Sequence, residues 1–311
     1  MSVAYLFPGQ GSQHAGMLHE LPPDDAVLAT LVEAAHVLQH GDVRDMDGAQ
    51  TLGSTVDVQL ALLIAGVATA RALEAAGGAP TLVAGLSVGT FAAAVIAGAL
   101  GFADALRLVR SRATLMQAGF RTGYGLGAIV GLGEREVARL VAQAGDARNP
   151  VYIANINAPR QIVVAGSHAA IARVLGAAAR DGATKTQSLG VAVPSHCPLL
   201  AGVAKRLEAE VANVALQSPR LAYIGNRRCR VLRTAAEVAE ELATNISHPV
   251  RWHDATVLAY ESGVRLFVEM PPGQVLSDLA AAAFYDARAI ASGASFQSAV
   301  TLARRQPVAG S

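Results

Sequence analysis

The chain has 311 residues, of which 52% are hydrophobic and 16% charged, and its formal net charge at pH 7 is +1. A composition this apolar supports a sizeable core and excludes an intrinsically disordered protein. The charged residues comprise 25 basic and 24 acidic side chains without a basic block, so no phosphate-neutralising face for nucleic acid is expected.

The two cysteines, Cys197 and Cys229, do not have the spacing of metal ligands or of a disulfide framework. We therefore expect no metal site and a reducing, cytoplasmic setting. Residues 1–8 lack the basic and long apolar regions of a signal peptide. Residues 75–103 carry no charge and are long enough to span a bilayer, but Pro80 and several glycines interrupt them. We expect a buried strand and a buried helix there, and no membrane association.

The first predicted strand covers residues 3–7, an apolar run typical of a strand buried on both faces. It leads into the glycine-rich loop 8–13, and open α/β sheets bind ligands at the carboxyl ends of their strands. The loop is a candidate to offer backbone N–H groups and the Gln10 amide to a substrate or an oxyanion; the alternative is an ordinary tight turn. It is not a phosphate-binding loop, because the Gly-Lys-Ser/Thr ending is missing.

Residues 24–75 are predicted to be mostly helical, and the motif G-x-S-x-G follows at residues 85–89. An apolar run precedes the motif and an alanine-rich helix former follows it, which predicts a strand, a sharp turn and a helix. Such a turn needs small flanking residues and presents its serine at a helix N-terminus, where negative charge is favoured. Ser87 is therefore a candidate nucleophile; the alternative is a Gly/Ser turn in a chain with 30 glycines.

The next helix is predicted from Phe102 to about residue 117. At 100° per residue, Arg112 falls in the middle of the apolar arc of this helix. A charged group that faces a core needs a partner or an anionic ligand. A distant carboxylate and a snorkelling stem remain alternatives. The guanidinium fork suits a carboxylate ligand, because it donates to both oxygens at once.

Residues 123–192 read as β-α-β-β-α-β, the ferredoxin-like order, in about 70 residues. The predicted elements are a strand at 125–132, a helix at 134–144, strands at 151–156 and 161–165, a helix from Ser167 to about 181, and a strand at 184–191. We predict a small domain inserted into a larger one made of residues 1–122 and 193–311.

His196 lies in a proline-bounded loop, residues 193–198, that suits neither a helix nor a strand ladder. It is a candidate general base for Ser87; the alternative is a surface histidine, as for any of the eight. Cys197 is an alternative nucleophile, although a lone cysteine is more often a small buried apolar residue.

The remaining elements follow in order. They are a helix from 198 to about 214, a strand at 221–224, a helix at 235–243, a strand at 264–269, a turn at 271–274 and a final alanine-rich helix. The tail after Arg304 is expected to pack loosely.

Six stretches together resemble the malonyl-CoA:acyl-carrier-protein transacylase family, over residues 3 to about 280. They are residues 7–13, the Ser87 motif, Arg112 with residues 116–117, residues 153–161, residues 193–197 and residues 249–252. The resemblance implies an α/β fold with a hydrolase-like core, a parallel sheet and an inserted ferredoxin-like domain.

The resemblance also implies roles for individual residues. Ser87 would accept the acyl group, His196 would be its base, and Arg112 would hold the malonyl carboxylate. Gln10 and the Val88 N–H would form the oxyanion hole. Asn245 falls where the family has an amide or a backbone contact that orients the histidine. No bound cofactor or metal is implied, and the substrates would be malonyl-CoA and the phosphopantetheine-type thiol of an acyl carrier protein.

Two residues depart from the family pattern, Leu86 for the usual His and Thr90 for the usual Glu. The stretch 86–95 resembles best the epsilon subunit of malonate decarboxylase, whose acceptor is that complex's own carrier protein and whose partners are its other subunits. The alternatives are a malonyl transacylase of fatty-acid or polyketide synthesis, a serine esterase or thioesterase, and a non-catalytic carrier-binding module.

Overall fold

A computed structural model describes residues 2–120 and 122–304. In chain order the strands are β1 (Ser2–Phe7), β2 (Leu82–Gly85), β3 (Tyr124–Val130), β4 (Val151–Ala158), β5 (Gln161–Ser167), β6 (Lys185–Leu189), β7 (Ala222–Ile224), β8 (Val231–Leu232), β9 (Val264–Glu269) and β10 (Arg288–Ala291). The α-helices are α1 (Asp25–Leu38), α2 (Thr55–Ala75), α3 (Gly89–Ile96), α4 (Phe102–Gly119), α5 (Glu134–Ala144), α6 (His168–Arg180), α7 (Ala201–Val211), α8 (Ala235–Thr244), α9 (Trp252–Glu261), α10 (Val275–Ala283) and α11 (Phe296–Arg304).

Six strands form the larger sheet, in the order β10-β9-β1-β2-β7-β8. All pairs are parallel except the short terminal pair of β7 with β8. The strands β1 and β2 consist almost wholly of buried apolar residues, as expected of strands covered by helices on both faces. The fold is therefore α/β with a mostly parallel sheet.

The second sheet has four antiparallel strands, in the order β4-β5-β3-β6. Its elements follow the chain order strand, helix, strand, strand, helix, strand, and α5 and α6 pack against each other and against the sheet. The backbone of β4 is joined to the rest of the protein through Val250, whose N–H donates to the Ala154 carbonyl at 2.8 Å and whose carbonyl accepts from Ile156 N–H at 2.8 Å.

The uncharged stretch 75–103 forms β2 and α3, both buried, as predicted. The helix α2 is the one described helix that has the length and composition of a membrane span. Its most apolar window is 83% buried within the protein, among strand and helix neighbours of the main core. This burial is the environment of a core helix.

Three parts of the sequence prediction need correction. The alanine-rich helix α10 is not the last element, because β10 and α11 follow it, and α9 was not predicted. The strand β10 has only four residues and pairs on one side alone, with β9, so its sequence carries little periodic signal. The strand predicted at 151–156 is longer than expected, since β4 continues to Ala158. The tail after Arg304 lies outside the described residues.

The turn after β2 depends on the absence of a side chain at Gly85. A Cβ built there would lie 2.1 Å from both the carbonyl carbon and the oxygen of Gly89. Neither atom can move without displacing the start of α3, so this turn tolerates only glycine at residue 85.

We expect Gly85→Ala to lower the free energy of unfolding by about 3 kcal/mol, the upper part of the usual range for overpacking. The matched control is Gly176→Ala within α6, where a new Cβ meets only the Arg180 guanidinium at 3.7 Å. This control should gain about 0.5–1 kcal/mol from helix propensity. Urea titration followed by circular dichroism measures both, and equal stabilities would contradict the steric argument.

Candidate active site

Ser87 occupies a tight turn between β2 and α3, with left-handed backbone at φ 58°. Leu86 N–H donates to the Phe7 carbonyl at 2.9 Å, which ties the turn to the end of β1. A Cβ at Gly89 would lie 2.2 Å from that same carbonyl oxygen. Both motif glycines are thus required by close backbone approach, as the G-x-S-x-G spacing predicts.

Asn226, at the end of β7, braces this turn from the neighbouring strand. Its Oδ1 accepts from Ser87 N–H at 3.0 Å, and its Nδ2 donates to the Gly85 carbonyl at 2.6 Å. Its own N–H donates to the buried Glu241 carboxylate at 2.7 Å. Asn226 was not predicted from the sequence; the available signal was a polar residue two positions after the predicted strand 221–224.

The Ser87 hydroxyl lies 2.7 Å from Nε2 of His196, a residue that is 1% exposed. On the other side of the ring, Nδ1 lies 2.9 Å from the backbone carbonyl of Asn245. A carbonyl only accepts, so Nδ1 carries the proton and Nε2 is free to accept from the serine. The pair has the geometry of a nucleophile and its base, with a carbonyl in the orienting position.

The backbone of the loop that carries His196 is hydrogen-bonded as well as the ring. His196 has φ 56°, and its N–H donates to the Ile246 carbonyl at 2.7 Å. The Asn245 side chain does not touch the imidazole; its Nδ2 donates to Thr90 Oγ1 at 2.9 Å. Of the two contacts that the resemblance allowed for Asn245, the structure has the backbone one.

Arg112 lies on the buried side of α4, as its place in the helical pattern predicts, and is 1% exposed. Its Nη1 donates to Gln59 Oε1 at 2.5 Å, and its Nη2 donates to Ser87 Oγ at 3.2 Å. Its Nε has no hydrogen-bond partner among the described residues. Burial lowers the pKa of Arg112 to about 9, and no carboxylate acts against that effect. Within the described part of the chain, the guanidinium therefore lacks the buried anion that usually accompanies such a group.

The neutral form of His196 is favoured by its surroundings. Burial of the imidazole and, to a lesser extent, the positive charge of Arg112 together lower the pKa of His196 from its ordinary 6.5 to about 4, against the opposing effect of the Asn245 carbonyl. The histidine is thus ready to accept a proton at neutral pH.

The reacting groups line a narrow cavity of about 40 Å³, whose wall includes Ser87, His196, Arg112, Gln10 and Gln59. A pocket of about 380 Å³ shares part of that wall, including Gln10, and extends outward between the loop after β1 and the four-stranded sheet.

The two candidate oxyanion donors are the Gln10 side chain, in the loop after β1, and the Val88 N–H, in the Ser87 turn. Gln10, in the loop after β1, lines the inner cavity, and its Oε1 accepts from Gln59 Nε2 at 3.4 Å. Val88 is the residue before α3, and none of the hydrogen bonds found among residues 2–120 and 122–304 uses its N–H. The oxyanion-hole role of these two groups stays a prediction.

Gln59 was missed by the sequence analysis, although it is the one polar side chain in an apolar run of α2 and is 1% exposed.

Cys197 is fully buried, and burial raises the pKa of its thiol to about 12. It does not line the cavity, so it is an apolar core residue and not a second nucleophile. Within the described residues, no group of three or more His, Cys, Asp or Glu side chains could hold a metal ion.

Comparisons with known proteins identify the family. The acyl transferase domain model matches residues 4–306. The malonyl CoA-acyl carrier protein transacylases of Salmonella typhimurium and Escherichia coli are 35% and 34% identical over 283 residues, which cover 89% of this chain and 91% of each relative.

Solved structures are equally similar. The malonyl CoA-acyl carrier protein transacylase of Coxiella burnetii superposes with a TM-score of 0.93 at 34% identity, covering 98% of both chains. A malonyl-transacylase in complex with a type II polyketide synthase acyl-carrier protein superposes with a TM-score of 0.91 at 32% identity, covering 97% of this chain and 99% of that one.

We expect the rate of Ser87 modification by a fluorophosphonate to have an acidic limb near pH 4. His196 acts as a base only when unprotonated, and its pKa lies at about 4, below the ordinary 6.5. As pH falls through that value, the base is lost. Arg112→Gln removes one of the two causes of the lowered His196 pKa, so the acidic limb should move to higher pH. It should not reach 6.5, because burial is the larger cause. Brief pH jumps with a folded-state control by circular dichroism measure it; a wild-type limb near 6.5 would contradict the assignment.

Proposed function

This chain belongs to the acyl transferase domain family and is an acyltransferase, and we propose that it moves a malonyl group from malonyl-CoA to the thiol of an acyl carrier protein. The observation that carries the malonyl assignment is the buried Arg112 guanidinium, which reaches Ser87 Oγ but has no carboxylate partner among the described residues.

The distance between Arg112 and Ser87 fits a malonyl group. In malonyl-CoA a single methylene separates the free carboxylate from the thioester carbonyl that Ser87 attacks. A cation that hydrogen-bonds the nucleophile itself, at 3.2 Å, is therefore within reach of that carboxylate once the acyl group is attached. The fork of Arg112 would bind both carboxylate oxygens, and an acetyl group would leave it unpaired.

In the first half-reaction, Ser87 Oγ attacks the thioester carbonyl while His196 Nε2 accepts the hydroxyl proton. Asn245 orients the imidazole through its backbone carbonyl. The Val88 N–H and the Gln10 amide would stabilise the tetrahedral oxyanion, a contribution of about 3 kcal/mol per preorganised donor. Collapse of the intermediate returns the proton to the sulfur, releases CoA thiol and leaves malonyl-Ser87.

In the second half-reaction the carrier thiol attacks malonyl-Ser87, and His196 first accepts the thiol proton and then returns it to Ser87 Oγ. CoA and the carrier present the same phosphopantetheine arm, so one channel serves both. The outer pocket of about 380 Å³ is our candidate for that channel. A carrier protein is supported as the acceptor by the related malonyl-transacylase that was solved with its acyl-carrier protein.

For the pathway, the relatives favour a malonyl transacylase of fatty-acid or polyketide synthesis. The carrier subunit of malonate decarboxylase, with that complex's other subunits as partners, is a second candidate acceptor. One observation favours this second candidate, the turn sequence with Leu86 and Thr90. Leu86 lines both pockets, and Thr90 forms a hydrogen bond with Asn245. In either case we expect the enzyme to act in the cytoplasm.

We also propose that residues 123–192 form a ferredoxin-like subdomain inserted between 1–122 and 193–311. Its support is the β-α-β-β-α-β element order and the antiparallel strand order β4-β5-β3-β6. The subdomain would cover the acyl site, because Leu126 of β3 and Asn155 of β4 line the inner cavity.

The first test is the intact mass of the protein after a brief mix with malonyl-CoA or acetyl-CoA. The wild type should gain a malonyl group, Ser87→Ala should gain nothing, and Arg112→Ala should lose the preference for malonyl over acetyl. Arg110→Ala, on the exposed side of the same helix, is the matched control and should behave as the wild type. Absence of an adduct, or release of free malonate without a carrier, would favour a binding module or a hydrolase instead.

The second test compares acceptors. Malonyl-enzyme is mixed with carrier proteins from fatty-acid synthesis, polyketide synthesis and malonate decarboxylase, and kcat/KM is measured for each. We expect a fatty-acid or polyketide carrier to be malonylated fastest. A clear preference for the malonate decarboxylase carrier would assign the chain to that complex.

A further inference from the structure

We propose that the Thr90 hydroxyl is a positioning group that sets the distance between Ser87 and His196 by joining the two segments that carry them. The inference rests on the assignment of Ser87 and His196 in the proposed function, but not on the identity of the acyl group or of the acceptor.

Thr90 lies in the first turn of α3 and is 0% exposed. Its Oγ1 donates to the Ser87 carbonyl at 2.7 Å and accepts from Asn245 Nδ2 at 2.9 Å. Its backbone carbonyl accepts from the Tyr223 hydroxyl at 3.0 Å. One hydroxyl oxygen therefore contacts the nucleophile residue on one side and the histidine-orienting residue on the other.

The base depends on the short 3-10 helix Asn245–Ser247. This helix holds His196 at two points, through the Asn245 carbonyl to Nδ1 at 2.9 Å and through the Ile246 carbonyl to the backbone N–H at 2.7 Å. Any shift of the 3-10 helix would therefore move the imidazole with it.

Among the described residues, the contact between Asn245 Nδ2 and Thr90 Oγ1 is the one hydrogen bond between this 3-10 helix and the segment 85–91. The Asn245 Oδ1 is buried and has no hydrogen-bond partner there, so the side chain makes no second polar contact that could replace the first. Without the Thr90 hydroxyl, Nδ2 would be buried and unpaired, a state that favours a shift of Asn245 and of His196 with it.

The hydroxyl rather than the methyl group should matter, because only the oxygen bridges the two segments. Thr90→Val keeps the shape and removes the bridge, whereas Thr90→Ser keeps the bridge. A misplacement of about 1 Å between reacting groups costs ~10²-fold in rate.

The experiment measures how fast a fluorophosphonate labels Ser87. In this reaction Ser87 Oγ bonds to phosphorus, fluoride leaves and His196 accepts the hydroxyl proton, so neither malonyl-CoA nor a carrier is needed. We expect Thr90→Val to slow labelling by between ~10- and ~10²-fold, and Thr90→Ser to label close to the wild-type rate.

Thr30→Val is the matched control for lost stability. Thr30 is buried in α1, and its Oγ1 donates to the Ala26 carbonyl at 2.7 Å and accepts from Arg71 at 3.1 Å, away from Ser87. This variant should have a lower Tm and a normal labelling rate.

Asn245→Ala keeps the carbonyl that binds His196 but removes Nδ2. It should slow labelling as much as Thr90→Val, and the double variant should be no slower than either, because both changes break one interaction.

Three results would each overturn the proposal. They are labelling of Thr90→Val at the wild-type rate, a loss of labelling rate in Thr90→Ser equal to that in Thr90→Val, and additive losses of rate in the double variant. The wild type and the variants could show the expected labelling rates while the wild type fails to accept malonyl from malonyl-CoA. In that case the proposed function fails and the role of Thr90 stands.

Discussion

The hydrogen bond between the Ser87 hydroxyl and His196 Nε2 joins residues 109 positions apart, each with left-handed backbone. Neither residue is glycine, so each conformation is unfavourable locally and persists because its surroundings hold it. Asn226 and the close approach of Gly85 to Gly89 hold the serine; the 3-10 helix at Asn245 holds the histidine. These contacts around the site together maintain the one 2.7 Å hydrogen bond.

A second constraint is the uncompensated charge of Arg112. Among the described residues the buried guanidinium of Arg112 is paired only with neutral groups, a state that is unfavourable until an anion arrives, and for this reason we propose it as the ligand of the malonyl carboxylate. The same charge disfavours protonation of His196, which keeps the base neutral. Burial of the imidazole is the larger cause of its lowered pKa, and the Arg112 charge acts in the same direction.

The two sheets contribute different parts of the site. The parallel sheet positions the loop with Gln10, the Ser87 turn and Asn226, which follow the carboxyl ends of the adjacent strands β1, β2 and β7. The antiparallel sheet closes the cavity, and backbone hydrogen bonds through Val250 join it to the rest of the chain. The inner cavity and the outer pocket are both lined by the loop after β1 and by the antiparallel sheet.

The sequence by itself determined those features that depend on local pattern. The glycine spacing around Ser87 requires a tight turn, and the helical period places Arg112 on a buried face, so both follow from neighbours a few residues away. Only the tertiary structure decided the contacts of Asn226, Gln59 and Thr90 and the use of the Asn245 carbonyl in place of its amide. These depend on hydrogen bonds between residues distant in the chain, and a backbone carbonyl leaves no trace in the identity of its residue. The short edge strand β10 was missed for a related reason, because its four residues are ordered by pairing with β9 and not by a period of their own.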